Sequence, residues 1–232
     1  MLRKLLISAA LVFACATVAL ANVGVVATAI KSGSGTSQVL TVPTPGAGHF
    51  QIFVVRAGQT PTPPSGPTVV ATPSGSGLTT VYSCSTSTCS GNSYTFTFGT
   101  STSAIICYAE FSGTAASPII TQKSKNNGTA STSVTSPGIL TTYNSDYVLS
   151  YFTSSSGPTS FTDTAGFTNV VSNIQSGQSC VMNALQQTVG AYAADSGTWG
   201  AAVAGQSGTL DIIPSGALRA CAGSLSMEGF GC

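Results

Sequence analysis

The acidic residues are the groups of this chain that could do chemistry, and they are few and far apart. The six carboxylates are Glu110, Asp146, Asp163, Asp195, Asp211 and Glu228. Hydrolysis of a glycosidic bond needs two carboxyl groups that face one another at a fixed separation, and no E-x-D-x-x-E run is present. Glu110 lies inside an otherwise apolar run, where an unpaired carboxylate is costly. We therefore interpret Glu110 as a ligand-binding candidate, or as a residue that lies on an exposed face or accepts hydrogen bonds from a neighbouring loop.

The single histidine, His49, is the partner that a serine nucleophile would need. No G-x-S-x-G elbow is present, because Gly205-Gln206-Ser207-Gly208 departs from it at the last step. His49 follows the turn-rich run 43–48 and precedes an apolar strand, so we interpret it as a turn residue. The sequence predicts no catalytic residue and a protein that is not an enzyme, with a glycoside hydrolase as the last-ranked alternative.

Aromatic side chains are the next candidates, because ligand sites combine apolar rings with a few polar groups. Trp199, Tyr143 and Tyr82 have polar neighbours in the sequence, and we predict them, with Glu110, as ligand-binding residues. The alternative for Trp199 is a place in the core, which is the usual position of a lone tryptophan in an all-β protein. A glycan or another surface polymer is the partner that these residues indicate.

The remaining carboxylates are typical of turns. Asp146, Asp163 and Asp195 lie beside Ser, Thr or Gly, where a short polar side chain binds backbone donors. No clustered Asp/Asn run with calcium-ligand spacing is present. We predict no cofactor and no metal-binding residue, with a structural calcium ion on loop oxygens as the open alternative. Asn127-Gly128-Thr129 fits the sequon for N-glycosylation.

Residues 1–21 have the pattern of a secretory signal peptide. Arg3 and Lys4 precede an apolar run that ends in Ala19-Leu20-Ala21, a small-x-small cleavage pattern. The run is short for a spanning helix, which needs about 20 apolar residues, so a membrane anchor is the less favoured alternative, as is lipidation at Cys15. We predict a mature chain that begins at Asn22, is secreted to the periplasm or the extracellular space, and has no membrane span.

Six cysteines follow the leader, and an even number in an exported chain indicates a disulfide framework. They are Cys84, Cys89, Cys107, Cys180, Cys221 and Cys232. Cys84–Cys89 and Cys221–Cys232 would close short rings, and Cys107–Cys180 would join two apolar strand-like runs. In the chain-entropy model the long loop contributes roughly 4 kcal/mol and each short ring about 2 kcal/mol. The C-x4-C spacing with one histidine does not fit a zinc site.

The elements that must position these residues are predicted to be strands throughout. Fourteen strand-like runs are separated by clusters of Gly, Pro, Ser and Asn, and no mature segment has convincing helical periodicity. In the run 94–98 the aromatic side chains share one face and the threonines the other, as in a half-buried antiparallel strand. The runs are 23–31, 37–42, 50–56, 69–71, 78–82, 94–98, 103–111, 119–123, 130–135, 146–152, 166–171, 179–193, 198–204 and 216–222.

These runs predict an all-β fold, an antiparallel β-sandwich of the jelly-roll kind stapled by disulfides. We expect a single domain over residues 22–232, with a Pro/Gly/Ser-rich exposed loop at 57–77 that holds five of the eleven prolines. Two domains divided by that loop is the alternative, although three strands before it are few for an independent sandwich. No internal repeat of fixed period is apparent.

The composition excludes some partners. Only 6% of the residues are charged, against about a quarter in ordinary soluble domains. Without Arg3 and Lys4 the mature chain has five basic and six acidic residues, a net charge of −1. Such a chain has no basic surface with which to neutralise phosphates, so nucleic acid is not a predicted partner.

Several short segments, in order along the chain, resemble a known group of proteins. They are 40–43 with 46–48 and 50–55, 91–95, the run Tyr108-Ala109-Glu110-Phe111-Ser112-Gly113, 144–149 and 199–204. Together they are similar to uncharacterised secreted bacterial β-sandwich proteins, whose fold is like that of concanavalin A-like jelly rolls. The resemblance implies a fold and a secreted location, and it implies no active site.

The sequence therefore predicts a secreted, non-catalytic cell-surface or extracellular module. Its leading form is a carbohydrate-binding or adhesive protein. The second form is a structural subunit of an extracellular filament or coat, because low charge permits self-association and an N-terminal strand can pair with a neighbouring sheet edge.

Overall fold

The computed structural model describes residues 22–73, 78–175 and 177–216, which contain strands and no helix. The signal peptide, Cys221, Cys232 and most of the strand expected at 216–222 lie outside these ranges. The strands are β1 Gly24–Thr41, β2 Phe50–Ala57, β3 Thr68–Ala71, β4 Leu78–Ser85, β5 Ser93–Ser112, β6 Thr114–Thr135, β7 Ile139–Leu140, β8 Asp146–Ser154, β9 Phe161–Asp163, β10 Thr168–Ile174, β11 Ser179–Gln187, β12 Tyr192–Ala193 and β13 Ser196–Pro214.

Two antiparallel sheets form the body of the protein. The first has the strand order β1-β5-β2-β4-β3, and the second has the order β10-β11-β8-β13-β6, with β9 paired to β13. A small third sheet pairs β12 with β7. The predicted all-β antiparallel sandwich is confirmed.

The main core lies between the two large sheets. Ile52 and Val54 of β2 and Leu149 and Tyr151 of β8 are fully buried in one apolar cluster. These positions alternate along their strands, as the period of two in a strand requires. Each such side chain stabilises the sandwich by roughly 1.5–3 kcal/mol relative to an exposed one.

Two of the predicted disulfides are confirmed. Cys107 of β5 and Cys180 of β11 join the two sheets through the main core, with a Cα–Cα distance of 6.4 Å. Cys84 and Cys89 close the loop that follows β4, with a Cα–Cα distance of 6.0 Å. The covalent links therefore fix one sheet to the other and hold the shape of one surface loop.

Each large sheet also has a core on its outer face, because its longest strands double back over it. The part of β5 before residue 99 pairs with β1 and, through Thr97, with Thr62, but it does not pair with β2. Its rings Tyr94 and Phe96 pack on Phe53 of β2. In the second sheet, Trp199 of β13 joins Phe152 of β8 in a corresponding outer cluster. Residues on both faces of the central strands are thus buried, which explains their continuous apolar character.

The two halves of the chain have the same topology, although the sequence shows no repeat. In both sheets a long strand lies at one edge and pairs with the last strand of that half. A central strand of eight or nine residues follows, and then the two strands of a hairpin. The order β1-β5-β2-β4-β3 thus corresponds to β6-β13-β8-β11-β10. The registers agree as well, since Gln51 pairs with Glu110 and Val148 pairs with Asp211. In this correspondence His49 of the first half is equivalent to Asp146 of the second half, and Glu110 is equivalent to Asp211.

Some predicted strands are parts of longer ones. The runs 23–31 and 37–42 merge into β1, the runs 94–98 and 103–111 into β5, and the runs 119–123 and 130–135 into β6. The joining residues are Ser, Thr, Gly, Lys and Asn without proline, so the backbone stays extended through a bulge such as the register shift between Gly35 and Ser37. Conversely, the run 179–193 divides into β11 and β12.

The Pro-rich segment 57–77 packs on the first sheet in its described part. Thr62 exchanges two backbone hydrogen bonds with Thr97, at 2.8 and 3.0 Å. The hydroxyl of Tyr82 donates to the carbonyl of Pro61 at 2.7 Å, and residues 68–71 form β3. The described part of the segment is therefore anchored to the first sheet at these points, while other residues of it, such as Ser65 and Thr72, are exposed.

Candidate functional site

Glu110 is buried on β5, with 1% of its surface exposed, and its carboxylate accepts three hydrogen bonds. Nδ1 of His49 donates to Oε1 at 2.5 Å, and the backbone N–H of Gly46 donates to the same oxygen at 2.8 Å. The hydroxyl of Tyr108 donates to Oε2 at 3.2 Å. The expectation that a neighbouring loop donates to Glu110 is confirmed, and the loop is the segment before β2. The alternative of an exposed face is wrong, because the sheet buries the carboxylate.

His49 lies at the end of that loop and just before β2. Its own N–H donates to the carbonyl of Gly46 at 3.2 Å, which closes a turn over residues 46–49. The turn brings the imidazole back over Gly46, where a Cβ atom would lie 2.3 Å from Cε1 of the ring. Glycine is required at position 46 because a larger residue would displace the imidazole from Glu110.

The environment keeps Tyr108 a hydrogen-bond donor. Burial raises the pKa of Tyr108 far above its usual value, and the nearby Glu110 carboxylate raises it further. Burial also raises the pKa of Tyr94, whose hydroxyl donates to Gln51 beside the same site. Both phenols therefore stay protonated through the physiological range, and the Glu110 carboxylate is held in a fixed geometry.

A cleft of about 380 Å³ opens beside His49. The side chain of His49 is 22% exposed, whereas that of Glu110 is 2% exposed. The other residues that line the cleft are Gly48, Phe50, Ser85, Thr86, Ser87, Thr114, Ala115 and Ala116. The imidazole thus lines the cleft together with four residues that carry hydroxyl groups, and no lysine, arginine or aspartate is among the described lining residues.

The Cys84–Cys89 ring positions the hydroxyl side of this cleft. Thr86 accepts a hydrogen bond from the N–H of Gly48 on its Oγ1 at 2.9 Å and donates its own N–H to the carbonyl of His49 at 3.0 Å. The hydroxyls of Ser85 and Ser87 lie 2.6 Å apart. These hydrogen bonds join the disulfide loop directly to the histidine turn, and both segments line the cleft. Hydroxyl and imidazole groups both donate and accept hydrogen bonds, so the cleft can bind a neutral polar ligand.

The corresponding position in the second sheet is closed and holds two acids. Asp146 and Asp211 are fully buried, and both oxygens of Asp211 and Oδ1 of Asp146 have no hydrogen-bond donor among the described residues. Oδ2 of Asp146 accepts from the N–H groups of Thr142 and Tyr143, at 2.7 and 2.8 Å. Burial and the neighbouring Asp146 carboxylate raise the pKa of Asp211 to about 7, so this pair holds a proton at acidic pH.

A second pair of acids lies on the outer side of the second sheet. The amide Nδ2 of Asn183 donates to Asp163 at 3.1 Å and to Asp195 at 2.9 Å, and Ser150 donates to Asp195. Asp195 is fully buried, and burial together with Asp163 raises its pKa to about 7. Asp163 also accepts the N–H groups of residues 165 and 166, as expected for a turn. Within the described ranges no group of three or more His, Cys, Asp or Glu side chains could hold a metal ion.

The structure separates the residues that the sequence proposed as a ligand site. Trp199 is 3% exposed and packs edge-on to Phe161, and Tyr82 is 1% exposed and hydrogen-bonded to Pro61. Neither ring has a face for a sugar, so the expectation of exposure is wrong for both, and the core alternative for Trp199 is correct. Tyr143 is half-buried in the loop that closes the Asp146 site.

His49 is the functional candidate that the sequence did not reveal. The pattern of a turn before a strand is correct, but the contact with Glu110 joins residues 61 positions apart, and no local pattern records it.

No protein-family model matches the chain, and no curated protein or solved structure matches it either. In the described residues no helix has the length and apolar character needed to cross a membrane.

Proposed function

We propose that this protein is a secreted, non-catalytic extracellular module that binds a glycan or a similar hydroxylated surface polymer at the cleft beside His49. The observation that carries the proposal is that the imidazole of His49, oriented by Glu110, lines one cleft together with Ser85, Thr86 and Ser87. A neutral polyhydroxylated ligand matches this lining, because its imidazole and hydroxyl groups exchange hydrogen bonds without needing a countercharge. The cleft volume falls within the roughly 300–1,000 Å³ of small-ligand sites.

The rigidity of the cleft favours binding as well. Groups that are already fixed by hydrogen bonds lose little freedom when a ligand arrives, so less affinity is lost to ordering. Here Glu110 and Gly46 fix the imidazole, and the Cys84–Cys89 ring fixes the facing hydroxyls. Phe50 adds one apolar wall.

A glycan array followed by calorimetric titration tests this function. We expect the mature protein to bind a defined set of neutral glycans, and His49→Ala and Thr86→Ala to weaken binding at least tenfold. Asn126→Ala, on the exposed strand β6, is the matched control and should bind normally. Absence of any glycan signal at millimolar ligand, or equal binding by His49→Ala with an unchanged circular dichroism spectrum, would overturn the proposal.

Secretion rests on the leader pattern at residues 1–21 and is supported by the two disulfides, which form and persist in oxidising compartments. Expression of the whole chain in a bacterial host, followed by fractionation and N-terminal sequencing, tests it. We expect a processed protein that begins at Asn22 outside the cytoplasm. A cytoplasmic, unprocessed chain contradicts it.

A structural subunit of an extracellular filament or coat is the second candidate. The observation that favours it is that β1 and β6, the outermost strands of the two sheets, are 18 and 22 residues long and each pairs on one side only within the described chain. Long unpaired edges are templates for strand addition. Concentration-dependent sedimentation tests this candidate, and a monomer at all concentrations contradicts it.

A further inference from the structure

The edge strand β1 is unusually apolar on its exposed surface. Of the eight large apolar side chains that are exposed in the described residues, four lie on β1: Val25, Val26, Ile30 and Val39. Natural sheet edges are normally protected by charged side chains, proline or short length. β1 is long, contains no proline and has one charged residue, Lys31. Its two bulges, between Val25 and Ala27 and between Gly35 and Ser37, leave the regular segment 27–35 between them.

The equivalent strand of the other half provides an internal comparison. β6 occupies the same place in its sheet as β1, but its exposed part carries Lys123 and Lys125, and Pro118 lies near its start. Only Ile120 among its large apolar residues is exposed. The same position is therefore protected in one half of the molecule and open in the other, so the apolar edge of β1 is not a general consequence of the fold.

The sequence of β1 is close to a palindrome about Thr28. In the run Val26-Ala27-Thr28-Ala29-Ile30, antiparallel pairing of two copies sets each alanine opposite an alanine and each valine opposite an isoleucine. Thr28 and Ile30 share one face of the strand, whereas Ala27 and Ala29 pack on the outer core of their own sheet. Val26 is exposed at the bulge between Val25 and Ala27, where the strict alternation is interrupted. Cross-strand pairs of β-branched residues stabilise sheets.

We propose that β1 pairs with β1 of a second copy of this chain, antiparallel and about a two-fold axis at Thr28. The two five-stranded sheets then become one continuous ten-stranded sheet. This inference rests on the second candidate function, which it narrows to a symmetric dimer, and it does not depend on ligand binding at the His49 cleft.

The charges of β1 permit this register. Lys31 falls opposite Val25, so the two lysines of a dimer lie six residues apart along the paired strands, about 20 Å at the rise of a β-strand. That separation exceeds the screening length of about 8 Å at physiological salt, so their repulsion is small. A shift of the register that brought the two Lys31 side chains together would bring back the repulsion.

The second layer of the sandwich accommodates the same contact. β10, the outermost strand of the second sheet, lies beside β1 on this side of the molecule. A two-fold axis at Thr28 therefore brings two layers of each copy to one interface. A strand contact of nine residues spans about 30 Å, and it passes the bulge at Val26 in each copy, which interrupts the regular ladder. The dimer is accordingly reversible and forms at high local concentration.

Cysteine cross-linking tests the register. The axis places the two Thr28 residues directly opposite, with Cα atoms about 4.5–5.5 Å apart, which is within disulfide reach. We expect Thr28→Cys to give a covalent dimer on mild oxidation at high protein concentration. The matched controls are Thr36→Cys, at the far end of β1, and Thr129→Cys, on β6, and both should stay at the background of the unmodified protein. Equal cross-linking of Thr129→Cys, or none of Thr28→Cys, would overturn the proposal.

Analytical ultracentrifugation of the mature protein tests whether the exposed apolar side chains of β1 form the dimer interface. We expect reversible dimers whose dissociation constant rises at least tenfold in Val26→Lys and Ile30→Lys. Ile120→Lys places the same charge on the equivalent edge β6 and should dimerise normally. A mature protein that is monomeric at millimolar concentration, or a loss of dimers in Ile120→Lys alone, contradicts the proposal. Glycan binding measured on Val26→Lys, and dimerisation measured on His49→Ala, separate a failure of this inference from a failure of the glycan-binding function.

Discussion

Glu110 and Asp211 occupy equivalent positions in the two sheets, and each carboxylate lies against a residue at the start of the central strand of its own half: His49 just before β2, and Asp146 as the first residue of β8. In the first sheet that residue is His49, whose imidazole donates to Glu110 and reaches an open cleft. In the second sheet it is Asp146, and the pair is closed off from solvent. One architectural position thus holds a donor–acceptor pair in one half and two acids in the other.

The acid pair makes the free energy of unfolding fall as the pH rises from about 4 to about 7. Burial raises the folded-state pKa of Asp211 to about 7, above the ordinary value of 3.8. The folded chain therefore keeps a proton that the unfolded chain loses in this window, which costs about 1.4 kcal/mol of stability per pH unit for such a group. Asp195 contributes in the same direction. Below pH 4 and above pH 7 these groups add no further slope.

Asp211→Asn removes that part of the pH dependence, since the amide is neutral at every pH. Urea unfolding at pH 5 and pH 8 measures it. We expect the variant to be more stable than the unmodified protein at pH 8, with a smaller difference at pH 5. The same slope in both proteins would show that Asp211 ionises normally in the folded chain.

Removal of the two disulfides should have unequal effects. The bond Cys107–Cys180 closes a separation of 73 residues, and Cys84–Cys89 closes one of five. Constraint of the unfolded chain grows with loop length, so we expect losses of roughly 4 and 2 kcal/mol for the paired alanine variants. Guanidinium unfolding compares them. A smaller loss for the inter-sheet bond would mean that strain in the folded state offsets its entropic effect.

Gly46→Ala should displace His49 without removing it. The new Cβ would lie within 2.3–2.8 Å of three ring atoms, so the imidazole must leave the carboxylate of Glu110. We expect loss of the downfield Nδ1 proton resonance and a fall in glycan affinity like that of His49→Ala. Gly91→Ala, where the nearest atom lies 4.0 Å away, is the control. A retained Nδ1 resonance in Gly46→Ala would refute this account of the turn.

Trp199→Ala should affect stability and spare binding. The indole is buried in the outer core of the second sheet with Phe152 and Phe161, and truncation of a buried tryptophan costs about 3–5 kcal/mol. Because Trp199 is the only tryptophan, its fluorescence follows unfolding of this region. Addition of a bound glycan should leave the emission maximum unchanged. A ligand-dependent shift would indicate that the binding surface reaches the second sheet.

The fold class could be predicted from the sequence because alternation, turn residues and β-branched runs are local signals. The pairs Cys84–Cys89 and Cys107–Cys180 followed from spacing and apolar context. The merging of runs into β1, β5 and β6 could not be predicted, because Gly and Ser between two runs are equally typical of a turn and of a bulged strand.

The site was harder to predict, because its partners are brought together only by the sheet. Glu110 was recognised as unusual for the right reason, a carboxylate among apolar neighbours. Its partner His49 is distant in sequence, and the aromatic candidates Trp199 and Tyr82 face inward because strands double back over the outer faces. The correspondence of the two halves is likewise invisible in the residues, since only strand order and register retain it.

Each large sheet is built from one continuous half of the chain, and this affects how the protein tolerates cleavage of its backbone. Every strand of the first sheet precedes Gly113, every strand of the second follows it, and Cys107–Cys180 joins the two. A protease that cleaved the chain at this turn would leave two fragments, each with a complete sheet, and within the described residues the Cys107–Cys180 bond is the covalent link between them. The pair would behave as a split protein whose complementation is governed by redox state.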